Sequence, residues 1–283
     1  SRRRETLRFA HDRFALWAPV ALSLGMTTLF LDLEYKIHVF RFYTSFEPSS
    51  PMSWGAWVLV LIYPLMIVQI LSTLRHGYPA MARLLERMPP GGWLLDVCEK
   101  RRGMIALAVV PLAVGLGIYT GVLLSAFSAR PFWNSAALGP LFLISGLSTA
   151  AVIPILAGVQ RQERHFFEFA DMTLICVELL LIGLLLVNLA TGAAQQQEAL
   201  SLVTGGEYTA PFWLWFVLPG LLVPIVFELV GLRGGRLFAL TAAVLVVYGG
   251  FMLRLLMVEI GQVSTWHEYA IQFDPELLQR LMQ

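Results

Sequence analysis

Seven runs of mostly apolar residues, 14–31, 53–74, 104–127, 136–159, 166–190, 211–232 and 236–258, alternate along the chain with polar or irregular segments. A helix crossing the roughly 30 Å hydrocarbon core needs about 20 such residues at about 1.5 Å each. The runs are continuous and do not alternate with a period of two, so they predict helices and not the short strands of a membrane β-barrel. Pro64, Pro111, Pro140, Pro154, Pro219 and Pro224 fall inside them. Neighbouring helices make such prolines tolerable in a bilayer. The pattern predicts an all-α integral membrane protein with seven visible transmembrane helices.

Composition agrees. The chain is 57% hydrophobic and 14% charged, against about 25% charged residues in a soluble domain. A lipid membrane is therefore the expected surrounding, and no nucleic-acid partner is expected. The net charge of +1 carries less information than where the charges lie. Threading the chain through seven spans puts Arg2, Arg3, Arg4, Arg8 and Arg13 on one side. The six Lys and Arg of 75–102, and Arg161, Arg164, Arg233 and Arg236, fall on the same side. The other side receives Lys36, Arg41, Arg130 and Arg280, and Arg254 stays within a span. The positive-inside rule makes the first side cytoplasmic. The segments 32–52, 128–135 and 191–210 and the C-terminal tail are then extracytoplasmic, periplasmic if the membrane is a bacterial inner membrane. Those outer segments are rich in aromatic residues, and the mixed-charge tail predicts a docking surface for an external partner.

Ionisable groups at membrane depth are costly and point to function. Glu178 lies about 18 Å into its span, counted from Phe166. Asp171 and Glu228 sit about one turn from the cytoplasmic ends of theirs, and Arg254 about one turn from the outer end of the last. A proton pathway through Asp171, Glu178, Glu228 and Arg254 is one reading. Structural hydrogen bonding, with Arg254 snorkelling outward, is the other. Asp32, Glu34 and His38 lie at the outer end of the first run, placed either to exchange protons with water or to cap the interface.

The histidines exclude more than they assign. His11, His38, His76, His165 and His267 all lie at span ends or in loops, so no bis-histidine haem is expected. Cys98, assigned to a polar loop, and Cys176, inside a span, cannot hold an iron–sulfur cluster between them. No phosphate-binding loop, zinc-protease motif or nucleophile elbow is present.

Tyr119 stands out within "GLGIYTGVLLSAFSARPFWNS" (115–135). It lies about 12 Å below the outer end of the 104–127 run, among Gly115, Gly117 and Gly121. Small residues allow a helix or a flat ligand to approach the backbone, and a phenol at depth needs a hydrogen-bond partner. A quinone headgroup, flat and apolar with two carbonyl acceptors, fits such a place. A bond to a neighbouring backbone carbonyl satisfies the phenol equally.

Three stretches carry a resemblance. "SSPMSWGAWVL" (49–59), "GIYTGVLLSAFSARPFWNS" (117–135) with "GPLFLISGLSTAA" (139–151), and "YGGFMLRLLMVEIGQ" (248–262) resemble the NrfD/PsrC-like family. This family contains the membrane subunit of polysulfide reductase and its relatives. The resemblance implies a helical subunit with no haem and no iron–sulfur cluster of its own. Its substrate is a membrane quinone, menaquinone or ubiquinone. It exchanges electrons with a ferredoxin-like iron–sulfur subunit on the extracytoplasmic face, which in many members serves a molybdopterin catalytic subunit. The resemblance places the quinone tyrosine at Tyr119 and the small residue near the headgroup at Gly55. Asp32 and His38 join them as candidate quinone-site residues. It also implies eight helices in two four-helix bundles, which puts the first of them before Ser1. The expected organisation is a first bundle region with the quinone site over 1–160, a second over 161–260, and an extracytoplasmic tail over 261–283.

The expected function is thus a quinone-interacting membrane anchor of a respiratory oxidoreductase complex in a bacterial inner membrane, with proton translocation as an extension. The alternatives are a secondary transporter, for which Pro219, Gly220 and Pro224 allow a broken helix, and a purely structural anchor.

Overall fold

A computed structural model describes residues 12, 14–38, 40–44, 46–159, 161–231 and 236–264. The expected tail beyond 264 lies outside them, as do Arg2, Arg3, Arg4, Arg8, Arg13, His11, Arg233, His267 and Arg280. Among the described residues there is no strand. Six helices are long and apolar enough to cross a membrane: Pro51–Gly77, Arg102–Ser125, Leu138–Leu156, Glu163–Thr191, Pro211–Val230 and Arg236–Val263. The first expected span, 14–31, holds a 16-residue helix, Trp17–Asp32, about 24 Å long. The protein is an all-α, multi-pass membrane protein.

By internal contacts the chain falls into two compact units, Ser1–Tyr119 with Val159–Glu163, and Thr120–Gly158 with Arg164–Gln283. In the first, Pro51–Gly77 is the central element. Proline at its first position costs no helical hydrogen bond, because that N–H has no partner in any helix. Trp17–Asp32 and two short helices, Pro79–Glu86 and Gly91–Lys100, pack against it. Cys98, expected in a loop, lies buried on the second short helix. The segment winds into a helix because Leu95 and Cys98, three residues apart, bury one face. Burial pushes the Cys98 thiol up, away from the reactive thiolate. Arg75 ties the short helices to the end of the span through Glu86 at 2.8 Å, Asp96 at 2.6 Å and Glu99 at 3.1 Å. Met104, Leu107 and Val110 of Arg102–Ser125 are exposed, as suits side chains that meet lipid.

The second unit holds the large core, in which Phe132, Phe212, Phe216, Leu253 and Met257 are fully buried. Two close approaches set it. Gly220 and Gly249 face each other where Pro211–Leu222 crosses Arg236–Val263, and a Cβ on either would meet the other's backbone. Small residues are what let membrane helices approach this closely. Pro211–Leu222 is wound as a π-helix and contains Pro219, whose missing N–H already breaks the regular ladder. At the far end of the last helix, the Trp133 indole covers Gly261 and donates to the Met257 carbonyl at 2.6 Å. The short segment between Ser125 and Leu138 is thereby pinned to Arg236–Val263.

The glycine crossing gives a direct test. Gly249→Leu overpacks it and should destabilise the protein by about 1–3 kcal/mol. That loss should appear as a lower midpoint for thermal unfolding in detergent. The same added bulk at the lipid-facing Val244, as Val244→Leu, should leave the midpoint within error of the parent.

Candidate functional site

Tyr119 and Gly55 come together in the first unit. Gly55 lies four residues into Pro51–Gly77 and Tyr119 six residues before the end of Arg102–Ser125. In antiparallel neighbouring spans, these positions share one end. The hydroxyl end of the Tyr119 ring rests directly on the Gly55 backbone, where a Cβ would fall inside the ring. Glycine is required there by the ring and not by any backbone torsion. The ring is half-buried, and among the described residues its hydroxyl has no hydrogen-bond partner. A Cβ on Gly115, one turn earlier, would meet nothing within 4 Å, so that side of the helix is open.

The residues leading into Pro51–Gly77 close the same end. Ser53 Oγ accepts from the Glu47 amide at 3.0 Å, and Trp54 donates to the Pro48 carbonyl at 2.8 Å. Phe46 meets the Trp57 ring edge-on with centroids 5.7 Å apart. The buried Trp57 Nε1 has no acceptor among the described residues. Asp32 ends the Trp17–Asp32 helix, and His38 ends the short 3₁₀ turn Lys36–His38. Both side chains are exposed and make no hydrogen bond or ion pair among the described residues.

A second constellation fills the interior of the other unit. Glu168, Asp171, Ile175, Glu178, Ile182, Leu185 and Leu189 recur every three or four residues along Arg161–Thr191, and all are buried. One helix face thus carries three carboxyl groups before it turns apolar. Asp171 accepts from the Ser148 hydroxyl at 2.5 Å and faces Glu228 across the bundle. The outward oxygens Asp171 Oδ2 and Glu228 Oε2 have no donor among the described residues. Ionised carboxylates only accept, so two that face each other are satisfied only when a proton lies between them.

Two turns further, Glu178 lies beside the Ser145 hydroxyl, without an ideally directed bond, and within the field of Arg254. Arg254 does not snorkel outward. Its Nη1 turns back one turn to the Gly250 carbonyl at 2.6 Å, and its guanidinium stands 5.9 Å from the centre of the Phe142 ring. Glycine at 250 leaves room for Thr149 beneath it. At the other end, Glu168 pairs with Arg164 and His165, each at 3.1 Å. The structure therefore brings Asp171 and Glu228 into one cluster and Glu178 and Arg254 into another on the same helix face.

Glu168, His165, Ser145 and Ser148 belong to this arrangement and were not expected. The signal for Glu168 was its spacing, three residues before Asp171 and ten before Glu178. The two serines gave none, because hydroxyls are common in membrane helices. Such an array can hold protons and pass them between neighbours.

The description "Polysulphide reductase, NrfD" belongs to the family whose model matches residues 6–265. A polysulfide reductase component from Wolinella succinogenes is 26% identical over 261 residues, which is 88% of this chain and 80% of that protein. Protein NrfD of Escherichia coli K12 is 30% identical over 257 residues, 87% of this chain and 80% of that one. A tetrathionate reductase component from Salmonella typhimurium is 31% identical over 143 residues, half of this chain and 35% of its own length. The match runs nearly end to end, over the same helices that carry Tyr119 and the buried carboxyl groups, and so this protein belongs to the NrfD family.

Proposed function

We propose that this protein is the quinone-reactive membrane subunit of a bacterial inner-membrane oxidoreductase complex. The observation that carries the reading is the Tyr119 ring seated on Gly55 inside the membrane, with its hydroxyl free among the described residues. A quinone carbonyl accepts from that hydroxyl, and a quinol hydroxyl donates to it. The headgroup enters from the bilayer along the open side of the Arg102–Ser125 helix. Oxidation of one quinol releases two protons and two electrons, and reduction of a quinone takes up both.

The electrons leave or arrive through a partner. Relatives named as components of polysulfide reductase and of tetrathionate reductase support a place within a larger reductase. The partner proposed here is a ferredoxin-like iron–sulfur subunit on the extracytoplasmic face, linked to a molybdopterin catalytic subunit. Asp32 and His38, exposed at that end, exchange the quinone protons with water. Asp171, Glu178, Glu228 and Arg254 form a separate proton path through the second unit. Arg254 compensates the charge of Glu178 when that group is ionised, and the Asp171–Glu228 pair stores one proton between its carboxyl groups.

Tyr119→Phe keeps the ring and removes the hydroxyl. Quinol oxidation by the complex in membrane vesicles should show a KM raised about tenfold, the worth of one hydrogen bond. Parental KM and turnover in this variant would sink the assignment. Gly55→Val displaces the ring and should abolish most of the same activity while the complex still assembles.

Glu178→Gln preserves shape and removes the ionisable proton. In proteoliposomes carrying an internal pH indicator, quinone turnover should persist while the number of protons translocated per electron pair falls. An unchanged ratio would remove the proton path from the mechanism.

A further inference from the structure

The two short helices between Pro51–Gly77 and Arg102–Ser125 take no part in either constellation. The span before them ends, and the span after them begins, at the same membrane surface, so both short helices lie at that surface. One face of Pro79–Glu86 is already used. Ala82 and Leu85 pack with Tyr78 against Leu74 and Leu95.

A second apolar stripe flanks that face and stays uncovered. Met81, Leu84 and Met88, spaced three and four residues apart, are 48%, 62% and 53% exposed, and Trp93 on the next helix is 64% exposed. At about 100° per residue, Met81 and Leu84 of Pro79–Glu86 fall about 60° apart, and Met88 follows just beyond the helix end. On the far side of this stripe, one turn apart, stand Arg83 and Arg87, both exposed. Neither makes an ion pair or a hydrogen bond among the described residues. Glu86, Asp96 and Glu99, the carboxylates of these two short helices, are all held by Arg75. An exposed apolar stripe bordered by unpaired cations is the signature of a helix lying in the membrane interface.

We infer that Arg83 and Arg87 form a binding site for the phosphodiester of an anionic phospholipid. Met81, Leu84, Met88 and Trp93 dip into the acyl boundary beside it. The lipid, and not a soluble protein, is the occupant because the candidate spans before and after these helices meet the membrane at this same surface. The charges bordering the stripe also match an anionic headgroup. The Arg75 cluster has a role in this arrangement, since it engages Glu86, Asp96 and Glu99 and leaves Arg83 and Arg87 without a carboxylate partner among the described residues.

The test uses the full-length protein in its purified complex. Native mass spectrometry with added phosphatidylglycerol should show bound lipid. The double variant Arg83→Gln, Arg87→Gln should bind it about thirtyfold more weakly, the scale of two lost cation–headgroup contacts. Phosphatidylcholine should bind weakly to both proteins. Equal phosphatidylglycerol affinity in parent and variant, or equal affinity of the parent for the two lipids, overturns the site. A nitroxide on Leu84→Cys in liposomes checks its depth independently of affinity. Relaxation by oxygen should exceed relaxation by a water-soluble nickel chelate. The reverse order overturns the proposal, as does shielding from both reagents that appears only when the partner subunits are present.

Discussion

Two acidic side chains facing each other inside a membrane must share a proton or be driven apart, and that constraint organises the second unit. Asp171 and Glu228 sit on different helices, fully buried, with their outward oxygens lacking donors among the described residues. Ionising both at this depth would place two like charges in a medium that screens poorly, and each ion would also lose its hydration. The hydroxyl of Ser148, the pairing of Glu168 with Arg164 and His165, and Arg254 near Glu178 all distribute this cost. The glycine contact at 220 and 249 sets the close approach of Pro211–Leu222 to the last helix of the same unit.

The first unit solves a different problem with fewer parts. A phenol within a span needs an acceptor or a donor, yet the described residues give Tyr119 a seat and no partner. What they provide is the Gly55 backbone under the ring, a half-buried setting and an open helix side at Gly115. A site with one placed polar group on a flat apolar floor suits a planar ligand arriving from lipid.

Much of this was legible in the amino-acid sequence itself. Six of the seven apolar runs are helices long and apolar enough to cross a membrane, with ends shifted by a few residues, because a run of twenty apolar residues has few other ways to satisfy its backbone. The first run is shorter than expected, since its helix starts at Trp17. Cys98 was misassigned because the helix around it is amphipathic and short. Its identity depends on packing against the Pro51–Gly77 span, not on propensity. Tyr119 stood out by its depth and its glycine neighbours, Gly55 was added only through resemblance to a family, and the structure sets the Tyr119 ring against Gly55. Their 64-residue separation carries no local signal of contact.

Hydropathy and charge alone determined that the protein is helical, that it crosses a membrane several times and where the spans lie. Bilayer thickness and the cost of an unpaired backbone leave helices or a closed barrel, and the continuous apolar runs select helices. Which polar residues meet was decided by the tertiary structure. Asp171 and Glu228 are 57 positions apart, Glu178 and Arg254 are 76 apart, and only helix packing sets those distances. The sequence marked buried carboxyl groups as expensive wherever they lay. The fold showed how the expense is shared, by bringing hydroxyls, an arginine and a second carboxyl group within reach, where each becomes a partner.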